Sequence, residues 1–143
     1  MAKIHRSALV PYSAQQMFRL VNDIEAYPEY MEGCIGAEII RRQADTVEAR
    51  LDLSKGGIRH SITTVNHLHE PYRMQMKLAE GPFSHFEGVW QFESLAQQGC
   101  KLSLNLRFEF SSAVLQLAAG RWFEKIASRQ VDALCRRAEV VYG

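Results

Sequence analysis

Apolar and polar residues alternate strictly along residues 100–110, which is the clearest pattern in the chain. Polar or charged residues fill each position between the apolar ones, which are Cys100, Leu102, Leu104, Leu106, Phe108 and Phe110. Successive side chains of a β-strand point to opposite faces of the sheet. The alternation therefore predicts a strand with one buried face and one solvated face.

The stretch EGPFSHFEGVWQFE, residues 80–93, alternates in the same way but has a glycine among its apolar positions. Phe86, Gly88, Trp90 and Phe92 share one face of the predicted strand. A glycine weakens a strand and often marks a bend or the close approach of another group. We expect Gly88 to leave room between its neighbours, either for curvature of the sheet or for a ligand.

Five further segments have strand-like composition, and short turns join most of them. The segments are residues 2–10, 37–43, 46–54, 58–70 and 72–80. The expected turns lie near Ala44-Asp45, Gly56-Gly57, Pro71, Gly81-Pro82 and Gln97-Gln98-Gly99. Regular strands with short connections predict an antiparallel meander.

Helical periodicity occurs at two places, after the first strand and at the end of the chain. Ser13 is a candidate N-cap for a helix that reaches Ile24, and Pro28 limits the next segment to a short helix or turn. From residue 112 to 142, apolar residues recur at helical spacing and predict one helix about 45 Å long, with a break or bend near Gly120. Its apolar positions are Phe123, Ile126, Ala127, Val131, Leu134, Ala138 and Val141.

This order of elements predicts an α+β domain over residues 1–143, with about seven strands and the helices on one face of the sheet. Seven strands span about 29 Å, whereas one helix is only about 10–12 Å wide. The sheet must therefore curl around the long helix. A hollow between sheet and helix is a natural product of this layout, although side chains can fill it.

Composition excludes several classes of protein. The chain has 143 residues, 47% hydrophobic and 23% charged, with a net charge of +1, so no global field favours nucleic acid. The three cysteines, Cys34, Cys100 and Cys135, have no metal-ligand spacing and are expected to be reduced and mostly buried. The N-terminus has no signal-peptide pattern, and no apolar run is long enough to span a membrane. We expect a cytoplasmic protein, with peripheral contact at the inner membrane as an option.

Motifs for catalysis and metal binding are missing from the sequence. It has no GxSxG, HExxH, Walker loop or GxGxxG. His67 and His69 share a strand face, but no carboxylate or thiol partner is placed beside them, so we expect no metal site. No acid–base pair stands out. A cyclase or hydrolase acting on an apolar substrate is therefore a weaker hypothesis than the two binding functions described below.

Three segments resemble the coenzyme Q-binding group of START-like domains, within the polyketide cyclase/dehydrase-like family. They are VNDIEAYPEYMEGC (21–34), GPFSHFEGVWQF (81–92) and ALCRRAEVVYG (133–143). This group includes bacterial ribosome association toxins and mitochondrial ubiquinone-binding proteins. The resemblance implies a helix-grip fold, like START domains and the birch-pollen allergen, with a deep apolar cavity between the sheet and the C-terminal helix.

The resemblance favours a cavity wall over solid core for residues that the pattern places inside. The candidates for contact with a ligand are Met74, Met76, Leu78, Phe86, Gly88, Trp90, Phe92, Leu104, Leu106, Phe108, Phe123, Ile126, Ala127, Val131 and Leu134. Tyr27, Tyr30 and Met31, in the YPEYM motif, are candidates either for a gate over the cavity or for simple packing at a helix end.

Two functions follow from the resemblance. The first is non-enzymatic binding of a prenylated quinone, ubiquinone above all, or of another lipid, with no required cofactor, in support of respiration. The alternative is a toxin that binds the large ribosomal subunit and blocks subunit joining; no DNA contact is expected. Arg129, Arg136 and Arg137, with Arg121 and Lys125, are candidates to meet RNA phosphates, although a solvated helix face gives the same pattern. A second candidate surface consists of Arg41, Arg42, Arg59, Arg73 and Lys77.

Overall fold

The computed structural model describes residues 1–96 and 99–143, and its elements follow the predicted order. The turn expected at Gln97 and Gln98 lies outside the described residues. The elements are β1 (Ala2–Val10), α1 (Ala14–Asn22), a 3₁₀ helix (Ile24–Glu29), β2 (Cys34–Gln43), β3 (Thr46–Lys55), β4 (Ile58–His69), β5 (Arg73–Glu80), β6 (Phe83–Leu95), β7 (Gly99–Phe110), α2 (Ala113–Ser128) and α3 (Gln130–Tyr142).

The strands form one antiparallel sheet in the order β1-β7-β6-β5-β4-β3-β2. All sequential neighbours from β2 to β7 pair directly, and β1 joins the far edge beside β7. The sheet curves around the C-terminal helical segment. This is the predicted helix-grip fold, with a seven-stranded sheet and the helices on one face, and the fold prediction is confirmed.

Helix α1 begins where the sequence predicts, because Ser13 caps it. The Ser13 hydroxyl accepts from the Gln16 backbone N–H at 3.1 Å, and the Gln16 side chain accepts from the Ser13 N–H at 2.9 Å. This reciprocal pair satisfies two N–H groups that would otherwise lack partners at the helix start. The helix buries Met17 and Phe18 against the sheet, and the Phe18 ring lies 5.8 Å from that of Phe92.

The C-terminal segment is two helices, and the break lies at Arg129 rather than near Gly120. The Ser128 hydroxyl donates to the Lys125 carbonyl at 2.9 Å, and the Arg129 N–H bonds to the Ile126 carbonyl, three residues back. A serine bonded back to its own helix competes with the regular ladder and bends the helix. Gly120 lies buried inside α2, where the Gln116 side chain occupies the space beside it.

The predicted stripe of the C-terminal segment is buried at all positions except the last. Phe123, Ile126, Ala127, Val131, Leu134 and Ala138 are 7% exposed or less, whereas Val141 is 48% exposed. At the end of α3 the inward contact is made by Tyr142 instead. Its hydroxyl donates to the Gln16 carbonyl at 2.9 Å, and its ring lies 5.8 Å from that of Tyr12.

The cysteines are unpaired thiols, and two of the three are buried. Burial raises the pKa of Cys100 to about 11 and also raises the pKa values of Cys34 and Cys135. At neutral pH all three thiols are therefore protonated and poorly nucleophilic.

Candidate functional site

A small cavity lies between the sheet and the helices, where the sequence analysis places a hollow. Side chains from the 3₁₀ helix, β3 to β7, α2 and α3 enclose it. Its lining residues are Tyr27, Leu51, Leu53, Ile62, Thr64, Met76, Phe86, Trp90, Leu106, Phe123, Ala127 and Gln130. The space available to the centres of water-sized spheres is about 60 Å³. One water needs about 10–15 Å³ by this measure, so the cavity holds only a few waters.

Seven of the lining residues are among those that the sequence predicts, and five are not. The seven are Tyr27, Met76, Phe86, Trp90, Leu106, Phe123 and Ala127. Leu51 and Leu53 are on the inward row of β3, so the alternation of that strand could have predicted them as lining residues. Ile62 and Thr64 lie on β4, where the alternation is blurred. Gln130 faces the cavity only because the helix breaks at its neighbour, Arg129.

The other predicted lining residues lie elsewhere, and most of them are solid core. Met74, Phe92, Leu104, Phe108, Val131 and Leu134 are 2% exposed or less and do not line the cavity. Phe92 packs against Phe18 of α1, and Phe108 packs against Phe123 of α2, so these rings are covered by helices. Leu78 is half-buried near the end of β5. Tyr30, Met31 and Ile126 line a second, smaller cavity, which offers about 40 Å³ to the centres of water-sized spheres.

Gly88 leaves room for its neighbours rather than for an open space. It lies in register between Met76 on β5 and Leu106 on β7. A Cβ atom at position 88 would lie 2.5 Å from Leu106 Cδ2 and 2.6 Å from Met76 Cε. Carbon atoms in contact are normally about 3.5–4.0 Å apart. The two neighbouring side chains therefore fill the space above Gly88, and both of them continue into the cavity wall.

Two ion pairs tie the YPEYM segment and the residue after it, Glu32, to the C-terminal segment. Arg129 Nη1 lies 3.0 Å from Glu32 Oε1, and Arg137 Nη2 lies 3.4 Å from Glu29 Oε1. The Arg137 guanidinium also stacks over the Tyr30 ring, 5.1 Å from its centroid. Exposed pairs of this kind contribute about 0–1 kcal/mol each. They add to the burial of Tyr27 and Met31, which holds the segment where it covers the second cavity.

These contacts change the interpretation of the basic strip, which is the set of cations that the sequence offers for RNA phosphates: Arg121, Lys125, Arg129, Arg136 and Arg137. Arg129 and Arg137 already neutralise carboxylates, whereas Arg136 is exposed and has no carboxylate within 4.0 Å in residues 1–96 and 99–143. Arg121 and Lys125 do not join them, because they face a groove beside β1. The strip expected from the sequence is therefore divided between two surfaces.

The tyrosines beside the cavity are structural at neutral pH. The Tyr27 hydroxyl donates to the Val21 carbonyl, and its ring packs edge-on against Tyr30 at 6.1 Å. Burial, reinforced by neighbouring acidic groups, raises the pKa of Tyr27 well above its usual value. Burial also raises the pKa of Tyr30, and the nearby Arg137 only partly opposes that effect. Both hydroxyls remain protonated, so neither tyrosine acts as a base.

The remaining polar groups of the cavity do not form an acid–base pair. Thr64 and Gln130 are the polar members of its lining apart from Tyr27, and the Thr64 hydroxyl donates to Asn66 Oδ1 at 2.8 Å. Across the described residues, no three His, Cys, Asp or Glu side chains are grouped to hold a metal ion. Within the same ranges, no helix is long and apolar enough to cross a bilayer.

The fold and cavity define a family. The family described as polyketide cyclase/dehydrase and lipid transport matches residues 10–135. The chain belongs to this family.

Within the family, the chain resembles bacterial toxins along its whole length. It is 42% identical over 143 residues to the ribosome association toxin RatA of Escherichia coli K12, covering 100% of this chain and 90% of the relative. It is 43% identical to the protein of the same name in Vibrio cholerae, covering 100% and 99%. A coenzyme Q-binding protein of Xenopus laevis, COQ10 homolog B, is more distant, at 22% identity over 96% of this chain and 58% of that protein.

Solved structures share the fold at low sequence identity. The Zhui aromatase/cyclase from Streptomyces has a TM-score of 0.85 at 16% identity, with 96% of this chain and 93% of that chain covered. A START superfamily protein from Mycobacterium smegmatis has a TM-score of 0.76 at 23% identity, with 97% and 98% covered. These likenesses concern the fold alone.

Proposed function

We propose that this protein associates with the ribosome through its exterior and thereby inhibits translation in the cytoplasm. The observation that carries the proposal is the full-length similarity, at 42–43% identity, to proteins named ribosome association toxin. By the same resemblance the target is the large subunit, and bound protein blocks subunit joining. The protein acts by binding, without catalysis.

The size of the cavity supports an exterior function. Pockets for small molecules usually measure about 300–1,000 Å³. The cavity here offers about 60 Å³ to water-sized spheres, roughly a fifth of the lower bound. A quinone ring with an isoprenoid tail does not fit without movement of the wall. Ribosome association is therefore better supported than quinone binding, the first of the two functions that the resemblance implies.

The proposal predicts a change in ribosome profiles. When the purified protein is added to a cell-free translation system, we expect free subunits to accumulate and 70S particles to decline on a sucrose gradient. The protein itself should co-sediment with the large subunit, and peptide synthesis should fall in parallel. An unchanged 70S peak together with no co-sedimentation would contradict ribosome association. The same system without added protein and with heat-unfolded protein serves as the control.

A second candidate is the binding of an apolar ligand, and the apolar lining of the cavity favours it. We propose a prenylated quinone or another lipid as that ligand, with its tail driving association at about 25 cal/mol per Å² buried before ordering costs. Tyr27 lines this cavity and Tyr30 and Met31 line the second one, so displacement of the YPEYM segment would open both. This function requires such opening, and membrane contact would be peripheral.

Lipid extraction tests the second candidate separately. We expect mass spectrometry of protein purified from its native host to detect a quinone at substoichiometric levels, because the quinone can enter only those molecules in which the cavity opens. The matched sample is an equally abundant protein purified on the same column. Absence of any enriched lipid, together with no saturable binding of added quinone, would exclude this candidate and leave ribosome association untouched.

A further inference from the structure

A groove runs along the edge strand β1, between this strand and the outward side of α2. Its volume, measured as the space for the centres of water-sized spheres, is about 350 Å³. The lining residues are Lys3, Ile4, Arg6, Arg121, Glu124, Lys125 and Ser128. Ile4 is buried and forms the floor, while the four cationic side chains are exposed. We call this feature the β1–α2 groove.

The β1–α2 groove concentrates positive charge that the chain as a whole lacks. Four cations and one carboxylate line it, although the net charge of the whole chain is only +1. In the described ranges, 1–96 and 99–143, none of these cations has a carboxylate oxygen within 4.0 Å. They contrast with Arg129 and Arg137, whose charges are already paired. The free cations of the groove are thus available to an anionic partner.

The cations come from two elements, and those on β1 leave opposite faces of the edge strand. Lys3 and Arg6 are three residues apart on a strand, which separates their Cα atoms by about 10 Å. Arg121 and Lys125 are one helical turn apart, with Cβ atoms about 5–6 Å from each other. Cations that reach one groove from a strand and from a helix suit a chain of phosphates that lies along it.

The lining of the groove favours a nucleic-acid backbone over a membrane. A sugar-phosphate chain can lie along the groove and meet cations from both elements. Stable attachment to a lipid surface needs apolar side chains that enter the acyl region. Among the described residues that line the groove, the large apolar one is Ile4, which is 7% exposed, whereas the exposed Leu117 lies outside the lining, one turn before Arg121 on α2. The unpaired cations, together with the similarity to proteins named ribosome association toxin, favour an exposed phosphate backbone of RNA as the partner.

We propose that the β1–α2 groove is the surface through which the protein grips ribosomal RNA, by phosphate contacts from Lys3, Arg6, Arg121 and Lys125. This inference rests on the proposed ribosome association and assigns its contact surface. Since phosphates carry no base identity, the contact fixes position without reading sequence. Recognition of one particular site on the subunit comes from shape around the groove.

The test compares two quadruple variants of equal charge. The groove variant carries Lys3→Gln, Arg6→Gln, Arg121→Gln and Lys125→Gln. The control variant carries Arg19→Gln, Arg50→Gln, Lys55→Gln and Lys101→Gln, none of which lines the groove or belongs to a basic surface considered from the sequence. Because both variants lose four positive charges, the change in net charge is the same in each. Circular dichroism and melting temperature check that both remain folded.

Binding to purified large subunits is measured over a range of salt concentrations. We expect wild type and control variant to bind alike, and the groove variant to bind about 100-fold more weakly at 0.1 M salt. The slope of log affinity against log salt should fall by about 0.7–0.9 per lost contact, or about 3 for the set. Binding to deproteinised subunit RNA should follow the same order.

Other outcomes separate the two proposals. If wild type fails to bind the subunit, ribosome association itself is refuted. If the groove variant binds as wild type does, or the control variant loses binding instead, ribosome association stands and the groove assignment is overturned. Vesicles of anionic phospholipid form a further arm. Groove-dependent binding to vesicles, with none to the RNA, would overturn the assignment in favour of a lipid surface.

Discussion

Replacing Phe123 with alanine is expected to lower the free energy of unfolding by about 3–5 kcal/mol. The ring is 7% exposed and anchors α2 to the sheet. Its centroid lies 4.9 Å from that of Phe108 and 5.2 Å from that of Phe83, with two further rings, Phe86 and Phe110, within 6.4 Å. Alanine removes these contacts and leaves a void that joins the existing cavity.

Urea denaturation followed by tryptophan fluorescence and circular dichroism measures this loss. Phe123→Leu keeps most of the volume and should cost clearly less than the alanine variant. Val114→Ala, on the same helix but 75% exposed, should change stability by less than about 0.5 kcal/mol. A loss below about 1 kcal/mol for Phe123→Ala would mean that α2 is not held to the sheet by this aromatic cluster.

Gly88→Leu is expected to destabilise the fold by about 3 kcal/mol, at the upper end of the usual cost of overpacking. The new side chain must displace Met76 and Leu106, whose terminal methyl groups lie within 2.6 Å of the position that its Cβ atom would take. The free space beside these two side chains is the cavity of about 60 Å³. Because this space must receive the displaced ends of Met76 and Leu106 while four carbon atoms are added beside them, part of the cost is strain in the backbone of β6.

Gly88→Ala is the sharper probe of function. One added methyl group moves the ends of the two neighbours toward the cavity and narrows it, at a cost of about 1 kcal/mol. We expect this variant to fold, to bind any apolar ligand of the cavity more weakly, and to retain ribosome association. Gly36→Ala, whose Cβ would meet the side chain of Asp52 on the neighbouring strand, serves as a control. Unchanged ligand binding in folded Gly88→Ala would show that the cavity is not the ligand site.

The two predictions separate the core from the surface. Substitutions at Phe123 and Gly88 change the packing of the core, and ribosome association should survive any of these variants that remains folded. The cations of the β1–α2 groove act on binding, and their loss should leave the unfolding free energy almost unchanged. A protein in which all these variants failed together would instead have one coupled site, contrary to both proposals.

Local pattern was sufficient for the strands, for the start of α1 and for the fold class. Alternation placed Leu102, Leu104 and Phe108 inside because a strand has only two faces, and the side-chain period fixes which residues share one. Ser13 identified a helix start because an N-cap bonds to backbone groups of its own first turn, and the structure adds Gln16 as its capping-box partner. The resemblance in three segments then identified the family, and the comparisons confirm it.

Packing between distant segments decided the candidate site. The sequence could not tell that Met74 fills solid core while Met76 lines a cavity, since both are apolar and face inward. It could not pair Arg129 with Glu32, 97 residues earlier, or bring Lys3 and Lys125 to one groove. Periodicity fixes the direction in which a side chain points. The volume and charge that it meets depend on elements far away in the chain, and only the tertiary structure brings those together.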